Sequence, residues 1–394
     1  MKSIKKYKLL VISSLLITLL FCSVTIRAQE VDFELESKSA VLMGVESGRV
    51  IYQKNSAEKL PPASITKIMT MLLVMEALDE GRANLDDTIM VSEDAANMGG
   101  SQIWLEEGEK MKLENLLKAV AIVSANDACL ALAEYLYGTE EGFLEKMNQK
   151  AKSLGLENTK FYNTNGLPIN DQTGKENYTT AYDVAIMTRE LLKHPQILEY
   201  TSVWTDHLRD GESFLRNTNE LVRFYDGADG MKTGYTNQAG FCLAATAKRN
   251  GMRFISVIMK APNSKTRFNE SKQLLSYAFN VHKSLTITKA GEVIDELEVF
   301  KGKKDTVTAI SKNELIIPVL KGEEEQLTKR ILLDQELVAP IKSGAKLGKI
   351  IVVKNEEKLG EVNLVAKEDI EKDSIFGIIL KIFSSFITKF VTGG

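Results

Sequence analysis

Two β-hairpin patterns on either side of a helical region constrain the fold most strongly. Residues 39–55 have strand-forming residues on both sides of a short turn at Gly48. Residues 240–259 contain two strand patterns joined by Asn250-Gly251, a pair that is typical of tight hairpin turns. Hairpins separated in this way predict an α+β fold, in which one antiparallel sheet has helices packed on it.

The other segments of this region have helical periodicity. The first helix is predicted from Ser64 to Leu78, and apolar residues cover most of its surface, which indicates a buried helix. The later helical patterns are residues 112–136, interrupted near the sequence SAND, and residues 139–155, 180–195 and 267–282.

The sequence changes character after residue 283. Short strand patterns separated by turns predict a second, small all-β domain over residues 284–371. The charged residues 366–373 resemble a solvated linker. Residues 373–394 have one wide apolar face and one polar face, which favours an amphipathic helix lying in a membrane surface. The alternative is a helix packed on the protein or on a partner.

The first residues have the pattern of a secretory signal peptide. Four lysines precede an apolar run from Leu9 to about Val24, and the small residue Ala28 follows. An uncleaved membrane anchor is the alternative, and a lipoprotein signal at Cys22 is disfavoured because the bulky Phe21 precedes it. The predicted organisation is a signal peptide over 1–28, a main domain over 29–283, the β domain over 284–371 and the terminal helix over 372–394.

Cysteine usage and charge exclude several kinds of site. Cys129 and Cys242 remain after residue 28, each in an apolar run, so they form either one disulfide or two buried free thiols. No Cys/His spacing typical of zinc is present, and neither a metal nor a cofactor is predicted. The net charge is −3 without a basic stripe, so no nucleic-acid partner is expected.

A serine and a lysine open the buried helix. Ser64 and Lys67 are three residues apart, which makes their side chains neighbours on a helix. A lysine can take the proton of a serine if burial or a nearby cation destabilises its ammonium form. Because S-x-x-K alone is a weak signal, an ordinary solvated helix face is the alternative.

Two further motifs contain groups suited to the same chemistry. In VSAND, Ser124 can relay a proton and Asn126 can hold a substrate carbonyl or a lysine, although both residue types also cap helices and turns. In DGMKTGYT, just before a strand, Lys232 and Thr233 can receive a carboxylate and Gly234 leaves room for a substrate. An ordinary turn is the alternative for this motif.

The ordered set S-x-x-K, S-x-N and K-T-G is typical of penicillin-binding proteins and class A β-lactamases. Together with LPPASITKIMT, SANDACLALAE, GLENTKFYNTNGLP and DGADGMKTGYT, it makes the chain resemble the low-molecular-mass penicillin-binding proteins that are serine-type D-alanyl-D-alanine carboxypeptidases. The resemblance includes the small β domain and the C-terminal helix. It implies a β-lactamase/transpeptidase-like catalytic domain over residues 29–283.

The resemblance implies a nucleophile and its base. Ser64 would attack the carbonyl of the penultimate D-alanine of a peptidoglycan stem pentapeptide, and Lys67 would take the serine proton. Ser124 or Lys67 would protonate the leaving D-alanine, and water would then hydrolyse the acyl-enzyme. The same serine would bind β-lactams covalently. The resemblance also implies that Lys232 keeps Lys67 deprotonated through like-charge repulsion.

The resemblance also implies the groups that hold the substrate. Asn126 would position the substrate amide, and the backbone N–H groups of Ser64 and Tyr235 would form the oxyanion hole. The residues implied near the terminal carboxylate are Lys232, Thr233, Gly234 and Arg267. For Arg267 an exposed arginine at a helix start is the alternative.

The sequence departs from the family pattern at two positions. Ala125 stands where many relatives have glycine, and Tyr235 stands where some have histidine. Neither change removes a catalytic group, so both imply at most a different rate or substrate preference.

Three other functions compete with this prediction. A class A β-lactamase needs a glutamate acting through water, for which no loop is evident, and it lacks the β domain. A β-lactam sensor or wall-binding protein without turnover is disfavoured by the intact motif set. A Ser-His-Asp hydrolase is disfavoured because His194, His207 and His282 have no catalytic context. Hydrolysis of peptide cross-links stays open within the family.

These patterns predict an exported enzyme of cell-wall synthesis. It would stand at the outer face of the cytoplasmic membrane, held peripherally by residues 373–394. Its expected partners are stem peptides ending in D-Ala-D-Ala, β-lactams and the membrane surface.

Overall fold

A five-stranded antiparallel sheet organises the main domain. The computed structural model describes residues 33–169, 175–334 and 336–381. The strands of the main domain are β1 Ser39–Gly44, β2 Val50–Lys54, β3 Thr88–Met90, β4 Lys110–Lys112, β5 Thr205–Leu208, β6 Ser213–Arg216, β7 Ala228–Thr236, β8 Gly240–Arg249 and β9 Met252–Ala261. The order in the main sheet is β2-β1-β9-β8-β7, so the two predicted hairpins are neighbours through the antiparallel pairing of β1 with β9.

The α-helices of the main domain have the following bounds: α1 Lys67–Asp79, α2 Glu93–Ala96, α3 Leu113–Ile122, α4 Asn126–Tyr137, α5 Glu140–Ser153, α6 Ala181–Leu191, α7 Leu198–Thr201, α8 Leu221–Phe224 and α9 Ser264–Val281. Helix α9 packs against β8 and β9, and α6 packs against β1 and β9. The predicted α+β class with one antiparallel sheet is therefore confirmed.

Local sequence explains the turn and the helix starts. Asn250 and Gly251 have φ angles of +50° and +79°, as the turn of the β8–β9 hairpin requires. Helix α9 begins at Ser264, earlier than predicted, because the Asn263 side chain accepts a hydrogen bond from Thr266 N at 2.8 Å. Arg267 consequently lies in the first turn of α9.

Helix α1 is buried on almost every side, as its composition predicts. Its apolar residues from Ile68 to Met75 are each at most 4% exposed. The helix begins at Lys67, whereas Ser64 lies in a preceding 3₁₀ turn, Ala63–Thr66. The predicted start at Ser64 was therefore early by one short turn, although the serine and the lysine remain adjacent.

The second, all-β domain is also confirmed. Its strands are β10 His282–Thr288, β11 Val293–Phe300, β12 Thr306–Ser311, β13 Leu315–Leu320, β14 Thr328–Leu333, β15 Leu337–Val338, β16 Lys346–Lys354 and β17 Glu357–Ala366. Six of them form a sheet in the order β14-β16-β17-β12-β11-β15, and β10 pairs with β13. Strand β10 follows α9 directly, so the β structure begins at His282.

The prediction of a solvated linker over residues 366–373 was wrong. Ile370 is 1% exposed and exchanges two backbone hydrogen bonds with Ile341, at 2.8 and 2.9 Å. Asp373 N donates to Lys301 O at 2.8 Å. The charged side chains of this segment are solvated, but its backbone is part of the β domain.

The two ends of the chain are only partly described. Residues 375–381 are helical, so the terminal helix begins later than the predicted residue 372, whose backbone still bridges Gly302 of the β domain. Residues 382–394 and the predicted signal peptide lie outside the described residues. Among the helices that the structure describes, none has both the length and the apolar character needed to cross a membrane.

Candidate active site

Ser64 and Lys67 meet where the 3₁₀ turn leads into α1. Nζ of Lys67 donates to Oγ of Ser64 at 3.0 Å. Ala63, just before the serine, has a φ of +49°, an uncommon conformation for a residue other than glycine. The turn therefore presents a serine hydroxyl directly to a lysine amine.

Lys67 is buried and held from several sides. Its side chain is inaccessible to solvent, and Nζ donates to Asn126 Oδ1 at 2.6 Å and to the Asn165 carbonyl at 3.1 Å. Oγ of Ser124 lies 3.4 Å from the same nitrogen. Burial lowers the pKa of Lys67 from 10.5 to about 8. Part of the amine is therefore neutral, and able to act as a base, near this pH.

The S-x-N motif forms the junction between α3 and α4. Ser124 has a φ of +66° in this junction, and Asn126 is the first residue of α4. The Asn126 side chain donates to Gly99 O at 2.7 Å, and its backbone N–H donates to Ser101 O at 2.7 Å. These bonds leave the amide oxygen of Asn126 facing the lysine.

The K-T-G motif lies within β7, not before a strand as predicted. Lys232 is 1% exposed, and its Nζ donates to Thr233 O at 3.1 Å. Oγ1 of Thr233 donates to Oγ1 of Thr218 at 2.7 Å. The motif therefore supplies an ammonium group and a hydroxyl from one strand.

Burial lowers the pKa values of both buried lysines. It is the largest cause for each, and repulsion from Lys67 and from Arg267 further lowers the pKa of Lys232 well below its usual range. Because repulsion between two ammonium groups acts on both of them, the role of Lys232 in keeping Lys67 deprotonated stays a prediction.

Gly234 lets β7 approach the serine turn closely. A Cβ atom at this position would lie 2.8 Å from the Pro62 carbonyl oxygen and 3.1 Å from the Ser64 nitrogen. No side chain fits there without displacing backbone. The backbone of Tyr235 follows directly, whereas its side chain is 52% exposed and packs against Phe241.

Arg267 is buried behind β7, so the alternative of an exposed helix-start arginine was wrong. It is 8% exposed, and Nη1 donates to Gly234 O at 3.1 Å and to Cys242 O at 3.2 Å. Burial lowers its pKa to about 10. Its Nε is buried and has no hydrogen-bond partner among the described residues. An open cavity of about 480 Å³ lies beside it, with Trp204, Thr218 and Phe224 in its lining.

The turn of residues 163–166 was missed as part of the site. The Asn165 carbonyl accepts from Lys67, and Gly166, with a φ of +85°, lies against the serine turn. A Cβ at Gly166 would lie only 1.9 Å from the Ala63 carbonyl oxygen. The signal for this turn in the sequence is the Asn-Gly pair within YNTNGLP. That segment is one of those that carry the family resemblance, but no role was predicted for its residues.

The remaining candidates do not join this cluster. Cys129 and Cys242 are both buried free thiols, which decides between the two alternatives for them. His194 binds the Asp79 carboxylate, and His282 binds the Ala278 carbonyl. Within the described ranges, no group of three or more His, Cys, Asp or Glu side chains is arranged to hold a metal ion.

Comparison with known proteins gives consistent matches over both domains. A profile of the D-alanyl-D-alanine carboxypeptidase family matches residues 24–263, and a profile of the C-terminal domain of penicillin-binding protein 5 matches residues 282–372. The chain is 43% identical over 359 residues to D-alanyl-D-alanine carboxypeptidase DacF from Bacillus subtilis, with 90% of this chain and 91% of that protein covered.

Solved structures agree with the sequence matches. PBP3 from Streptococcus pneumoniae, a peptidoglycan synthesis regulatory factor, is 28% identical with a TM-score of 0.73, covering 86% of this chain and all of that one (100%). Penicillin-binding protein D2 from Listeria monocytogenes, in its ampicillin-bound form, is 32% identical with a TM-score of 0.58, covering 63% of this chain and 99% of that one. The resemblance inferred from the motifs is confirmed, and the chain belongs to the D-alanyl-D-alanine carboxypeptidase family of serine peptidases.

Proposed function

We propose that this chain removes the terminal D-alanine from peptidoglycan stem pentapeptides through an acyl-enzyme on Ser64. The observation that carries the proposal is the pair formed by Ser64 and Lys67, in which a buried amine with a pKa of about 8 lies 3.0 Å from the hydroxyl. A neutral amine at this distance is a general base for a serine nucleophile.

Acylation begins with the transfer of the Ser64 proton to Lys67. Oγ of the serine bonds to the carbonyl carbon of the penultimate D-alanine, and the carbonyl oxygen becomes an oxyanion. The backbone N–H groups of Ser64 and Tyr235 stabilise that charge. The close approach of β7 at Gly234 supports this role, because it brings the two backbone segments together.

The leaving group then needs a proton. Lys67 returns its proton to the amine of the terminal D-alanine, either directly or through Ser124, whose Oγ lies 3.4 Å away. The C–N bond breaks and D-alanine departs. Water then attacks the ester carbonyl and gives a proton to Lys67. Lys67 passes this proton to Oγ of Ser64 as the ester bond breaks, which restores the free serine hydroxyl.

The substrate carboxylate fits the cationic wall of the site. Lys232 and Arg267 bring two buried cationic side chains to β7. Thr233, which follows Lys232 on the same strand, adds a hydroxyl group. Among the described residues, the hydrogen-bond partners of the two cations are backbone carbonyl oxygens and the Ser264 hydroxyl and include no carboxylate, so an anionic substrate group is a suitable partner. Asn126, the first residue of α4, holds the amide of the substrate. The same groups suit a β-lactam, which would acylate Ser64.

The test is D-alanine release from diacetyl-Lys-D-Ala-D-Ala by the purified protein and by Ser64→Ala. Release should be abolished in Ser64→Ala and retained in Ser153→Ala, which changes an exposed serine at the end of α5. Release that survives in Ser64→Ala contradicts the nucleophile assignment. No release from a folded wild-type protein contradicts the proposed activity.

We propose further that the protein is exported and held at the outer face of the cytoplasmic membrane. Residues 1–28 would be the signal peptide, residues 29–283 the catalytic domain and residues 284–371 the β domain. Support for a membrane-binding helix over 372–394 comes from residues 375–381, most of whose apolar side chains are exposed, including Ile375 at 79% and Phe376 at 72%. Lys381 lies on another side of this helix and donates to Gly302 O at 2.7 Å.

A further inference from the structure

Trp104 is turned out of the protein beside the candidate active site. Its side chain is 78% exposed, whereas its neighbours Ile103 and Leu105 are 5% and 4% exposed. Its φ is +59°, which is an outlier for a bulky residue. The conformation points a large aromatic ring toward solvent between two anchored apolar residues.

The backbone around Trp104 is fixed on both sides. The N–H groups of Ile103 and Leu105 donate to the Asp127 carboxylate at 3.0 and 3.1 Å. Arg209 donates to the Ile103 carbonyl at 2.9 Å and to the Trp104 carbonyl at 3.3 Å. The ring is therefore presented by a rigid loop.

This loop is attached to the wall of the site that contains Asn126. Asp127 follows Asn126 directly, and the loop carbonyls of Gly99 and Ser101 accept hydrogen bonds from Asn126 at 2.7 Å each. Lys67, next to Ser64, donates to the side chain of the same asparagine. Trp104 thus belongs to the Asn126 wall, whereas Lys232 and Arg267 belong to the β7 wall.

The two walls give the substrate a direction. If the terminal carboxylate binds at the β7 wall and the scissile carbonyl at Ser64, as proposed, the rest of the peptide would extend past Asn126. The side chain that comes next is that of the diamino residue preceding D-Ala-D-Ala. It combines an aliphatic stem with a terminal ammonium group.

The surroundings of Trp104 suit that chemistry. An indole face binds aliphatic groups and cations. The exposed carboxylates of Glu106 and Glu107 follow in the chain. Neither lies within salt-bridge distance of a cation among the described residues, although Glu106 helps to raise the pKa of Arg209. The nearby Glu109 is already paired with Arg209 at 2.9 Å. Two acidic side chains therefore remain available to an ammonium group near the ring.

We propose that Trp104 forms the subsite for the diamino side chain of the stem peptide, with Glu106 and Glu107 facing its ammonium group. The inference rests on the proposed carboxypeptidase function. It makes Trp104 a residue that determines substrate preference without taking part in bond making or breaking.

The test compares Trp104→Ala and Trp104→Phe on acetyl-Lys-D-Ala-D-Ala and acetyl-Ala-D-Ala-D-Ala. Trp104→Ala should lower kcat/KM for the lysine peptide by about threefold to tenfold, mainly through KM, and should change the alanine peptide by less than about twofold. Trp104→Phe should restore most of the loss. The control Tyr182→Ala, which removes another exposed aromatic ring of the main domain, should alter neither value. Equal losses on both peptides, or no loss on either, overturn the proposal.

A binding measurement separates this proposal from the proposed function. The chain has two tryptophans, and Trp204 lines the cavity beside Arg267, so the emission of Trp104 is taken as the difference between Ser64→Ala and Ser64→Ala combined with Trp104→Phe. Its emission should change on addition of the lysine peptide and change much less on addition of the alanine peptide. An unchanged emission at saturating lysine peptide overturns the subsite. If the wild-type protein releases no D-alanine but this emission still responds, the proposed activity fails and the subsite stands.

Discussion

The absent Cβ of Gly234 would lie 3.1 Å from the backbone nitrogen of Ser64. The third motif therefore touches the first through backbone, and a glycine is needed for the contact. Its role is to bring β7 against the serine turn, which a sequence motif alone does not reveal. The geometry of the proposed oxyanion hole depends on this approach.

Gly234→Ala should slow acylation by about 10-fold to 1,000-fold, because the new methyl group displaces β7 from the serine turn. The rate of covalent labelling by a fluorescent penicillin measures the effect. Gly44→Ala is the matched control, since a Cβ at this strand-end glycine meets no atom closer than 3.4 Å. A normal labelling rate in Gly234→Ala contradicts the proposed hole.

Acylation should increase with pH up to about 8 and level off above it. Burial disfavours the ammonium form of Lys67 and lowers its pKa to about 8, and only the neutral amine accepts the serine proton. Below that pH the rate should fall about tenfold per pH unit, because the fraction of Lys67 in the neutral amine form falls by the same factor. The pH profile of penicillin labelling measures this directly.

Lys67→Arg is the companion variant for the pH profile. An arginine keeps the charge but cannot deprotonate, so labelling should fall by about 10² to 10⁴ at every pH. A wild-type profile with an apparent pKa near 10.5 contradicts the buried base, since that is the value of a solvated lysine.

The fold could be predicted from the sequence because its signals are local. The Asn250-Gly251 turn, the apolar surface of α1 and the strand patterns after residue 283 each report structure within a few residues. The S-x-x-K pair is also a local signal, because Ser64 and Lys67 are only three residues apart in the chain.

The missed features depend on contacts that are distant in sequence. The Asn165 carbonyl contacts Lys67 from 98 residues away, and a carbonyl carries no side-chain signal. The buried position of Arg267 follows from its packing behind β7, which no helix pattern reports. Ile370 was overlooked because one buried residue among charged neighbours resembles a linker.

Gly166→Ala should both destabilise the main domain and slow acylation. The new Cβ would lie 1.9 Å from the Ala63 carbonyl oxygen at a φ of +85°, so the turn that contains Asn165 must move. We expect a loss of at least about 2 kcal/mol, since steric overpacking adds to the cost of the left-handed backbone. Thermal unfolding and penicillin labelling measure the two effects.

Gly155→Ala separates the backbone cost from the steric one. Gly155 has a similar φ of +72°, but a Cβ there meets nothing within 4 Å. It should cost only about 1 to 2 kcal/mol and leave labelling unchanged. Equal losses of stability in both variants, with normal labelling in each, contradict the role assigned to the Asn165 turn.

Arg267→Lys should weaken the binding of substrates with a free C-terminal carboxylate. The guanidinium is fixed by Gly234 O and Cys242 O, and a lysine cannot reproduce that geometry. KM for diacetyl-Lys-D-Ala-D-Ala should rise by about tenfold, whereas the corresponding C-terminal amide should be little affected. The control Arg253→Lys changes a partly buried arginine paired with Asp229, and should leave KM for both substrates unchanged. Equal effects of Arg267→Lys on acid and amide contradict the carboxylate site.

The exposed apolar side of residues 375–381 should govern binding to lipid vesicles. Lys381 donates to the Gly302 carbonyl, whereas Phe376 and Ile379 are 72% and 57% exposed. Phe376→Glu combined with Ile379→Glu should weaken sedimentation with anionic vesicles by at least about tenfold, because two apolar side chains no longer enter the interface. D-alanine release from a soluble peptide should not change.

The matched control for this last variant lies on the β domain. Ile331 and Leu332 are an exposed apolar pair on β14, at 43% and 49%, so Ile331→Glu with Leu332→Glu adds the same charge elsewhere. It should leave vesicle binding within about twofold, because the terminal helix remains intact. If both double variants weaken binding equally, added negative charge explains the loss. If neither does, residues 375–381 are not the membrane-binding surface, and a face that packs on a protein partner becomes the better explanation of their exposure.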